Sequence, residues 1–178
     1  MADMTDARRI RRNRVIGLTA AALVFILDQA TKWVVTGPLQ LEQRGSMEIV
    51  DFFDLRFVPN YGVSMGFLTA DTDAMRWLLV LLTGAIALFV GVWMWKEKRR
   101  DDALGLALVL GGALGNILDR IRFGHVVDFA DLHFGEWRPF LVFNVADAAI
   151  TIGVLLLLVR ALLMRDDKGK KKEEVEHA

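Results

Sequence analysis

The segment WLLVLLTGAIALFVGVWMW, at residues 77–95, holds 19 residues without a charge. A single helix needs roughly 20 apolar residues to cross a bilayer. Three further apolar runs approach this length, at about 15–35, 103–122 and 140–163. Hydrophobic residues make up 54% of the 178-residue chain, which is high for a soluble domain. The four runs predict an all-α integral membrane protein with four transmembrane helices.

A soluble bundle of four buried helices is the alternative interpretation of the same runs. A helix at the surface of a soluble bundle is apolar along one stripe and polar on the opposite face. The runs in this chain are apolar all round, and this pattern favours helices that face lipid. We therefore expect a single membrane-embedded domain over residues 1–164.

The net charge of zero conceals an uneven distribution of basic residues. They concentrate at 8–14, in the link at 96–100 and from 160 to 172. Cytoplasmic loops of membrane proteins carry an excess of Lys and Arg, so these three segments should face the cytoplasm. Both termini then face inward, and the segments 36–76 and 119–139 face outward.

The two ends of the chain need separate interpretations. The apolar run that follows the N-terminal arginines is too long for a signal-peptide core and contains Asp28 and Lys32. It predicts an uncleaved membrane anchor. At the other end, the charged stretch 165–178 predicts a disordered cytoplasmic tail.

The first outward segment has the pattern of a small β-sheet. Residues 53–57 alternate apolar and polar side chains, as a half-buried strand does, and Met47 and Ile49 suggest a second, weaker strand. We expect a small sheet over about 40–66, lying on the outer membrane surface. In the second outward segment, 119–139, aromatic and charged residues are interspersed, and this pattern predicts a short interfacial helix or flap.

Several polar side chains share one depth, near the outer ends of the predicted helices. They are Asp28, Lys32, Asn116, Arg120, Asn144 and Asp147, with Asp128 just upstream of the last helix. A charged side chain inside a bilayer costs roughly 3 kcal/mol or more on insertion scales. Structural polar residues scattered through a bundle would not cluster at one depth, so the pattern predicts a functional site. Gly111 and Gly115 form a GxxxG pair, which favours close helix packing.

The cysteine and histidine content of the chain limits which other catalytic chemistries are possible. The chain has no cysteine, which excludes disulfides and thiol catalysis. Its three histidines match no zinc motif. His125, Asp128, Asp131 and His133 could hold a metal on a strand or turn, but solvated loop residues are the interpretation we prefer, and we expect no metal.

Five motifs occur in order between residues 28 and 147. They are DQATK at 28–32, NYG at 60–62, GGALGN at 111–116 followed by DR at 119–120, VVDF at 126–129, and FNVAD at 143–147. On these motifs the chain resembles the lipoprotein signal peptidases (signal peptidase II), a family of bacterial inner-membrane aspartic peptidases. One departure is that Ser64 and Met65 stand where the family is expected to have a small residue and then phenylalanine.

The resemblance implies roles for particular residues. It implies that Asp128 and Asp147 are the catalytic pair. It also implies supporting or substrate-binding roles for Asp28, Lys32, Asn60, Gly62, Asn116, Arg120, Asn144 and Ala146. The implied fold is a four-helix membrane body with a small outer β-sheet.

The implied reaction is removal of the signal peptide from a diacylglyceryl-modified prolipoprotein, cut just before the lipid-bearing cysteine. The expected partners are that substrate and membrane lipids, with no cofactor and no nucleic acid. We expect a monomer in the bacterial inner membrane, with its site at the periplasmic side.

Two alternatives remain open at the level of sequence. Ser64 and Lys32 could form a serine–lysine peptidase. Intramembrane acidic and basic residues also suit a small proton- or ion-coupled transporter. The apolar inner halves of the second, third and fourth helices argue against a transport path.

Overall fold

The computed structural model describes the backbone of residues 2–62 and 73–176, and the side chains of 8–62 and 73–163. Its long helices are α1 (Ala2–Thr36), α3 (Asp73–Lys96), α4 (Arg100–Phe123) and α5 (Val145–Glu176), and a short helix α2 spans Leu41–Arg44.

Each of the four long helices contains a span long and apolar enough to cross a membrane. These spans are Arg8–Thr36, Asp73–Lys96, Arg100–Phe123 and Val145–Leu163. Large apolar side chains on their outer faces are exposed; Leu81 and Leu88 of α3 are both 70% exposed. Water would penalise such a surface, whereas hydrocarbon solvates it. The prediction of a four-helix membrane protein is therefore confirmed.

Helix α4 lies at the centre of the bundle and contacts α1, α3 and α5. Its glycines permit the close contacts with α1 and α5. A Cβ at Gly111 would lie 2.5 Å from the Ala21 carbonyl oxygen of α1, and one at Gly112 would lie 2.5 Å from the Ala146 carbonyl oxygen of α5. A Cβ at Gly115 would overlap the Asp28 carboxylate of α1. The glycine pair therefore packs helices, as the GxxxG motif predicts.

A three-stranded antiparallel sheet covers one end of the bundle, in the order β1 (Ser46–Val50), β2 (Phe53–Asn60), β3 (Val126–Leu132). Met47 pairs with Leu55 across β1 and β2, and Val58 pairs with Asp128 across β2 and β3. Both strands predicted in the first outward segment are therefore present.

The second outward segment differs from the prediction of an interfacial helix or flap. Its first part continues α4 to Phe123, and Val126–Leu132 then forms strand β3. Residues 126–131 are all buried, because β3 packs against Val35 and Leu41 beneath the sheet. A strand buried on both faces has no polar–apolar alternation, so periodicity does not reveal it.

Helix α5 begins at Val145, about five residues later than its apolar run predicts. The preceding backbone is extended along β3: the Phe143 N–H donates to the Ala130 carbonyl at 3.1 Å, and the Ala130 N–H donates back at 2.8 Å. Asp147 consequently lies in the first turn of α5. The backbone of α5 is helical to Glu176, through most of the stretch predicted to be a disordered tail.

Candidate active site

Asp128 lies on β3 and is almost completely buried, with 2% of its surface exposed. Its Oδ2 accepts a hydrogen bond from Asn60 Nδ2 of β2 at 3.0 Å, and its Oδ1 accepts one from Asn144 Nδ2 at 2.6 Å. Burial raises the pKa of Asp128 to about 6, and the negative charge of Asp147 acts in the same direction. The two amide donors oppose that rise. Asp128 can therefore change protonation state near neutral pH.

Asp147 is held by the N-terminal cap of α5. The Asn144 side-chain oxygen accepts a hydrogen bond from the Asp147 N–H at 2.9 Å, and Asp147 Oδ2 accepts one from the Asn144 N–H at 3.3 Å. This is the reciprocal arrangement of a capping box, with Asn at the cap position and Asp three residues later. A negative charge in the first turn is also stabilised by the helix dipole.

Asn144 therefore contacts both candidate catalytic carboxylates. Its side-chain amide donates to Asp128, and its backbone N–H donates to Asp147. A second amide completes the arrangement from α4, because Asn116 Nδ2 donates to Asp147 Oδ1 at 2.8 Å and Asn116 Oδ1 accepts from Asn144 Nδ2 at 3.2 Å. The two asparagines lock each other's orientation and place the two carboxylates at one site.

A buried lysine lies beneath this pair. Lys32 Nζ is 2.8 Å from Asp28 Oδ2 and 2.7 Å from Asp119 Oδ2, and it donates to Asn116 Oδ1 at 3.1 Å. Asp28 and Asp119 are fully buried, and Lys32 is 3% exposed. The contacts with Asp28 and Asn116 are hydrogen bonds, and the contact with Asp119 is an ion pair. Lys32 Nζ therefore joins two buried carboxylates and a buried amide oxygen.

The two carboxylates bound to Lys32 each hold the backbone beside a candidate catalytic residue. Asp119 Oδ2 accepts a hydrogen bond from the Val127 N–H at 3.2 Å, and Asp28 Oδ1 accepts one from the Ala146 N–H at 3.0 Å. Val127 immediately precedes Asp128, and Ala146 immediately precedes Asp147. One ion cluster thus fixes the position of both acidic residues.

Sequence reasoning did not single out Asp119 and Gln29 as site residues. Gln29 Nε2 donates to Asp119 Oδ1 at 3.0 Å and to Asp28 Oδ2 at 3.2 Å. A signal for Asp119 was present, because it lies three residues after Asn116 and therefore on the same face of α4. Its location near the end of an apolar run makes it resemble an ordinary interfacial charge.

Asn60, Gly62 and Arg120 form the edge of the site. The Asn60 side-chain oxygen accepts a hydrogen bond from the Gly62 N–H at 2.9 Å, and Gly62 has φ = 104°, a conformation that favours glycine. A Cβ at Gly62 would lie 2.6 Å from Leu79 Cδ1 and 3.5 Å from Arg120 Nη2. Arg120 interacts electrostatically with Asp147 and Asp128, and its buried Nε has no hydrogen-bond partner among the described residues.

All ten residues expected at the site lie in or beside this one network, whereas His125 and His133 lie outside it. His125 packs against the rings of Phe57, Tyr61 and Phe123, and His133 Nε2 is 3.2 Å from Asp54 Oδ2. Among the described residues, no three His, Cys, Asp or Glu side chains are arranged to hold a metal. Ser64 and Met65 lie outside the described part of the chain.

These features define a membrane protein with two hydrogen-bonded carboxylates at one end of a four-helix bundle. A family model described as signal peptidase (SPase) II matches residues 20–163. A lipoprotein signal peptidase from Rhizorhabdus wittichii is 58% identical over 93% of this chain and 95% of its own length. One from Sphingopyxis alaskensis is 56% identical over 86% of this chain and 89% of its own length.

Two solved structures of bacterial membrane enzymes have the same fold. They superpose with TM-scores of 0.73 and 0.70, at 28% and 29% identity. The first covers 86% of this chain and 91% of its own length, and the second covers 83% and 92%. The chain belongs to the signal peptidase II family and is a membrane peptidase.

Proposed function

We propose that this chain removes the signal peptide from diacylglyceryl-modified bacterial prolipoproteins by attack of a water molecule held between Asp128 and Asp147. The substrate class follows from the family. The mechanism is supported mainly by the contacts of Asn144, which donates hydrogen bonds to both carboxylates. Its Nδ2 donates to Asp128 at 2.6 Å, and its backbone N–H donates to Asp147 at 3.3 Å.

Two neighbouring carboxylates in a buried site ionise in two coupled steps, so over an intermediate pH range the pair carries one proton. The ionised member takes a proton from the water as the water oxygen attacks the scissile carbonyl carbon. The neutral member donates its proton to the carbonyl oxygen, which gives a neutral tetrahedral diol. Collapse of the diol transfers a proton to the departing amide nitrogen and breaks the C–N bond. No cofactor takes part.

The surrounding residues divide into two groups by their contacts. Asp28, Lys32 and Asn116 hold the carboxylates through the bonds described above. Arg120 and Asn60 lie at the open edge of the site, and Arg120 Nε lacks a hydrogen-bond partner among the described residues. We assign to Arg120 the binding of a substrate carbonyl near the scissile bond, because a guanidinium donor beside two carboxylates is otherwise left unpaired.

The serine–lysine alternative is disfavoured by the contacts of the lysine. A catalytic lysine base must lie within hydrogen-bond reach of the serine and be able to take its proton. Lys32 is 3% exposed, and its Nζ is instead held by the carboxylates of Asp28 and Asp119, at 2.8 Å and 2.7 Å.

We place the enzyme in the bacterial inner membrane as a monomer, with the site at the periplasmic side and the diacylglyceryl tails among membrane lipids. The basic segments support this orientation, because they lie at the end of the bundle opposite the carboxylate pair.

The test is cleavage of a lipidated prolipoprotein by purified protein with Asp128→Asn or Asp147→Asn. Each change should lower turnover at least about a thousandfold, because neither half of the acid–base pair substitutes for the other. Asp51→Asn is the matched control, since Asp51 is an exposed carboxylate in the β1–β2 turn. Near-normal cleavage by either site variant, with correct folding, would exclude the two-aspartate mechanism.

A further inference from the structure

A groove of about 570 Å³ runs along the lipid-facing side of the bundle between α3 and α4. Gly84 and Gly91 form its floor on α3, and Leu110 and Leu114 contribute to the wall on α4. Trp95 and Lys96 line the end farthest from the carboxylate pair. The groove is apolar apart from that end.

The groove exists because two glycines are not covered by a neighbouring helix. Gly84 and Gly91 are seven residues apart, which places them on nearly the same face of α3. A Cβ at Gly84 would meet nothing within 4 Å, and one at Gly91 would meet only Leu110 at 3.8 Å or more. Gly111 and Gly112 differ, since the backbones of α1 and α5 occupy the space beside them.

Along α3 the groove is about as long as one leaflet is thick. From Gly84 to Lys96 the helix rises about 18 Å at 1.5 Å per residue, and half of a hydrocarbon core is about 15 Å. On α3 the lining runs from the middle of the span Asp73–Lys96 to its basic end, and on α4 it reaches Ile117.

Two cationic side chains lie at that basic end. Lys96 lines the groove, and the described residues include no carboxylate within ion-pair distance of it. Arg14 of α1 stacks on Trp95 with its guanidinium carbon 4.4 Å from the ring centroid, and its Nε donates to the Trp95 carbonyl at 2.8 Å. Both side chains present positive charge where a lipid phosphate of that leaflet lies.

We propose that this groove binds one acyl chain of an anionic phospholipid from the leaflet opposite the carboxylate pair, with the lipid phosphate at Lys96 and Arg14. The assignment rests on the membrane orientation given under Proposed function. A similar groove of about 510 Å³ between α1 and α4 is lined by apolar residues alone, so it should show no headgroup preference.

The test is native mass spectrometry of the purified protein with equal amounts of phosphatidylglycerol and phosphatidylcholine that carry the same acyl chains. Wild type should retain phosphatidylglycerol preferentially. Lys96→Gln should lower that preference about fivefold, since one basic residue near the surface contributes about 1 kcal/mol. Arg100→Gln is the matched control, because Arg100 is an exposed cation at the same end that does not line the groove.

A second pair of variants tests the groove itself. Gly84→Leu with Gly91→Leu should reduce retention of both lipids, whereas Leu81→Phe, which adds volume on α3 outside the groove, should not. Melting temperatures establish that each variant is folded. Equal lipid preference in the Lys96→Gln and Arg100→Gln forms would overturn the proposal. Unchanged lipid retention in the variant that carries both Gly84→Leu and Gly91→Leu would also overturn it. The same holds if wild type is a dimer that this double variant disrupts. Lipid counting needs no peptidase activity, so failure of the proposed reaction would be recognised separately.

Discussion

Asn144 caps helix α5 and contacts both candidate catalytic carboxylates through different atoms. Its side-chain oxygen caps α5, its backbone N–H contacts Asp147, and its side-chain nitrogen contacts Asp128. A glutamine would extend the amide by one methylene, and an aspartate would remove the donor facing Asp128. The cap position therefore requires asparagine if both carboxylates are to be held from one residue.

The Lys32 cluster explains why so many charges are tolerated in a membrane bundle. Two carboxylates share one lysine, and each also accepts a backbone N–H, from Val127 to Asp119 and from Ala146 to Asp28. Removing one partner from a buried ion pair commonly costs about 3–5 kcal/mol, because the remaining charge is left uncompensated. Loss of any one member should therefore disturb the backbone beside both carboxylates of the candidate site.

The raised pKa of Asp128 predicts a pH-dependent stability. The folded protein binds this proton up to about pH 6, whereas the unfolded chain releases it near 3.8. The contribution to the free energy of unfolding is thus complete below pH 3.8 and is lost as pH rises through about 6. The full difference between the folded and unfolded pKa of Asp128 corresponds to about 3 kcal/mol in the free energy of unfolding.

Melting of wild type and Asp128→Asn in the same detergent between pH 4 and pH 7.5 measures this effect. The wild-type free energy of unfolding should fall by about 2–3 kcal/mol more than that of the variant over this range, since asparagine does not titrate. Parallel curves for the two proteins would show that Asp128 titrates near its ordinary pKa in the fold.

At the scale of elements, the sequence was enough to predict the membrane-spanning helices, but not strand β3 or the start of α5. An uncharged run of 19 residues at 77–95 leaves few alternatives to a membrane helix. Strand β3 and the late start of α5 depend instead on tertiary contacts. Phe143 pairs with Ala130 of β3, and this pairing keeps residues just before Val145 extended even though their composition suits a helix. The clustering of the polar side chains was predictable because charge inside a bilayer is rare, whereas Asp119 resembles an interfacial charge.

The α4–α5 contact makes a second prediction, on how helix packing supports the site. A Cβ at Gly112 would lie 2.5 Å from the Ala146 carbonyl oxygen and 2.8 Å from Ile150 Cγ1. Gly112→Ala should therefore move α5 away from α4 and cost about 1–3 kcal/mol, as overpacking does. Because Ala146 precedes Asp147, cleavage should fall as well.

Gly84→Ala is the matched control for this change, because a Cβ there meets nothing within 4 Å. It should leave cleavage unchanged and raise stability by up to about 1 kcal/mol, as alanine favours a helix over glycine. The melting temperature and the turnover of Gly112→Ala and Gly84→Ala measure these two effects. An equally small effect at the two glycines would show that α5 tolerates displacement from α4.

At the scale of the whole molecule, contacts between distant segments place the basic regions at one end. Asn13 of α1 donates to the Lys98 carbonyl in the α3–α4 link at 2.7 Å. Arg160 of α5 pairs with Asp102 at 2.7 Å and with Asp101 near the start of α4. The sheet and the carboxylate pair lie at the opposite end. The basic segments and the carboxylate pair are therefore separated along the bundle axis.

This separation predicts the orientation of the protein in the membrane. The basic end should face the cytoplasm, and the sheet should face the periplasm. The absence of cysteine allows a direct test with single cysteines at exposed positions, Glu42→Cys in α2 and Arg9→Cys in α1. In spheroplasts, a membrane-impermeant maleimide should label Glu42→Cys at once and Arg9→Cys only after permeabilisation, because the bilayer shields the second position. Immediate labelling at Arg9→Cys with protection at Glu42→Cys would reverse the orientation and place the carboxylate pair on the cytoplasmic side, away from any substrate presented at the outer leaflet.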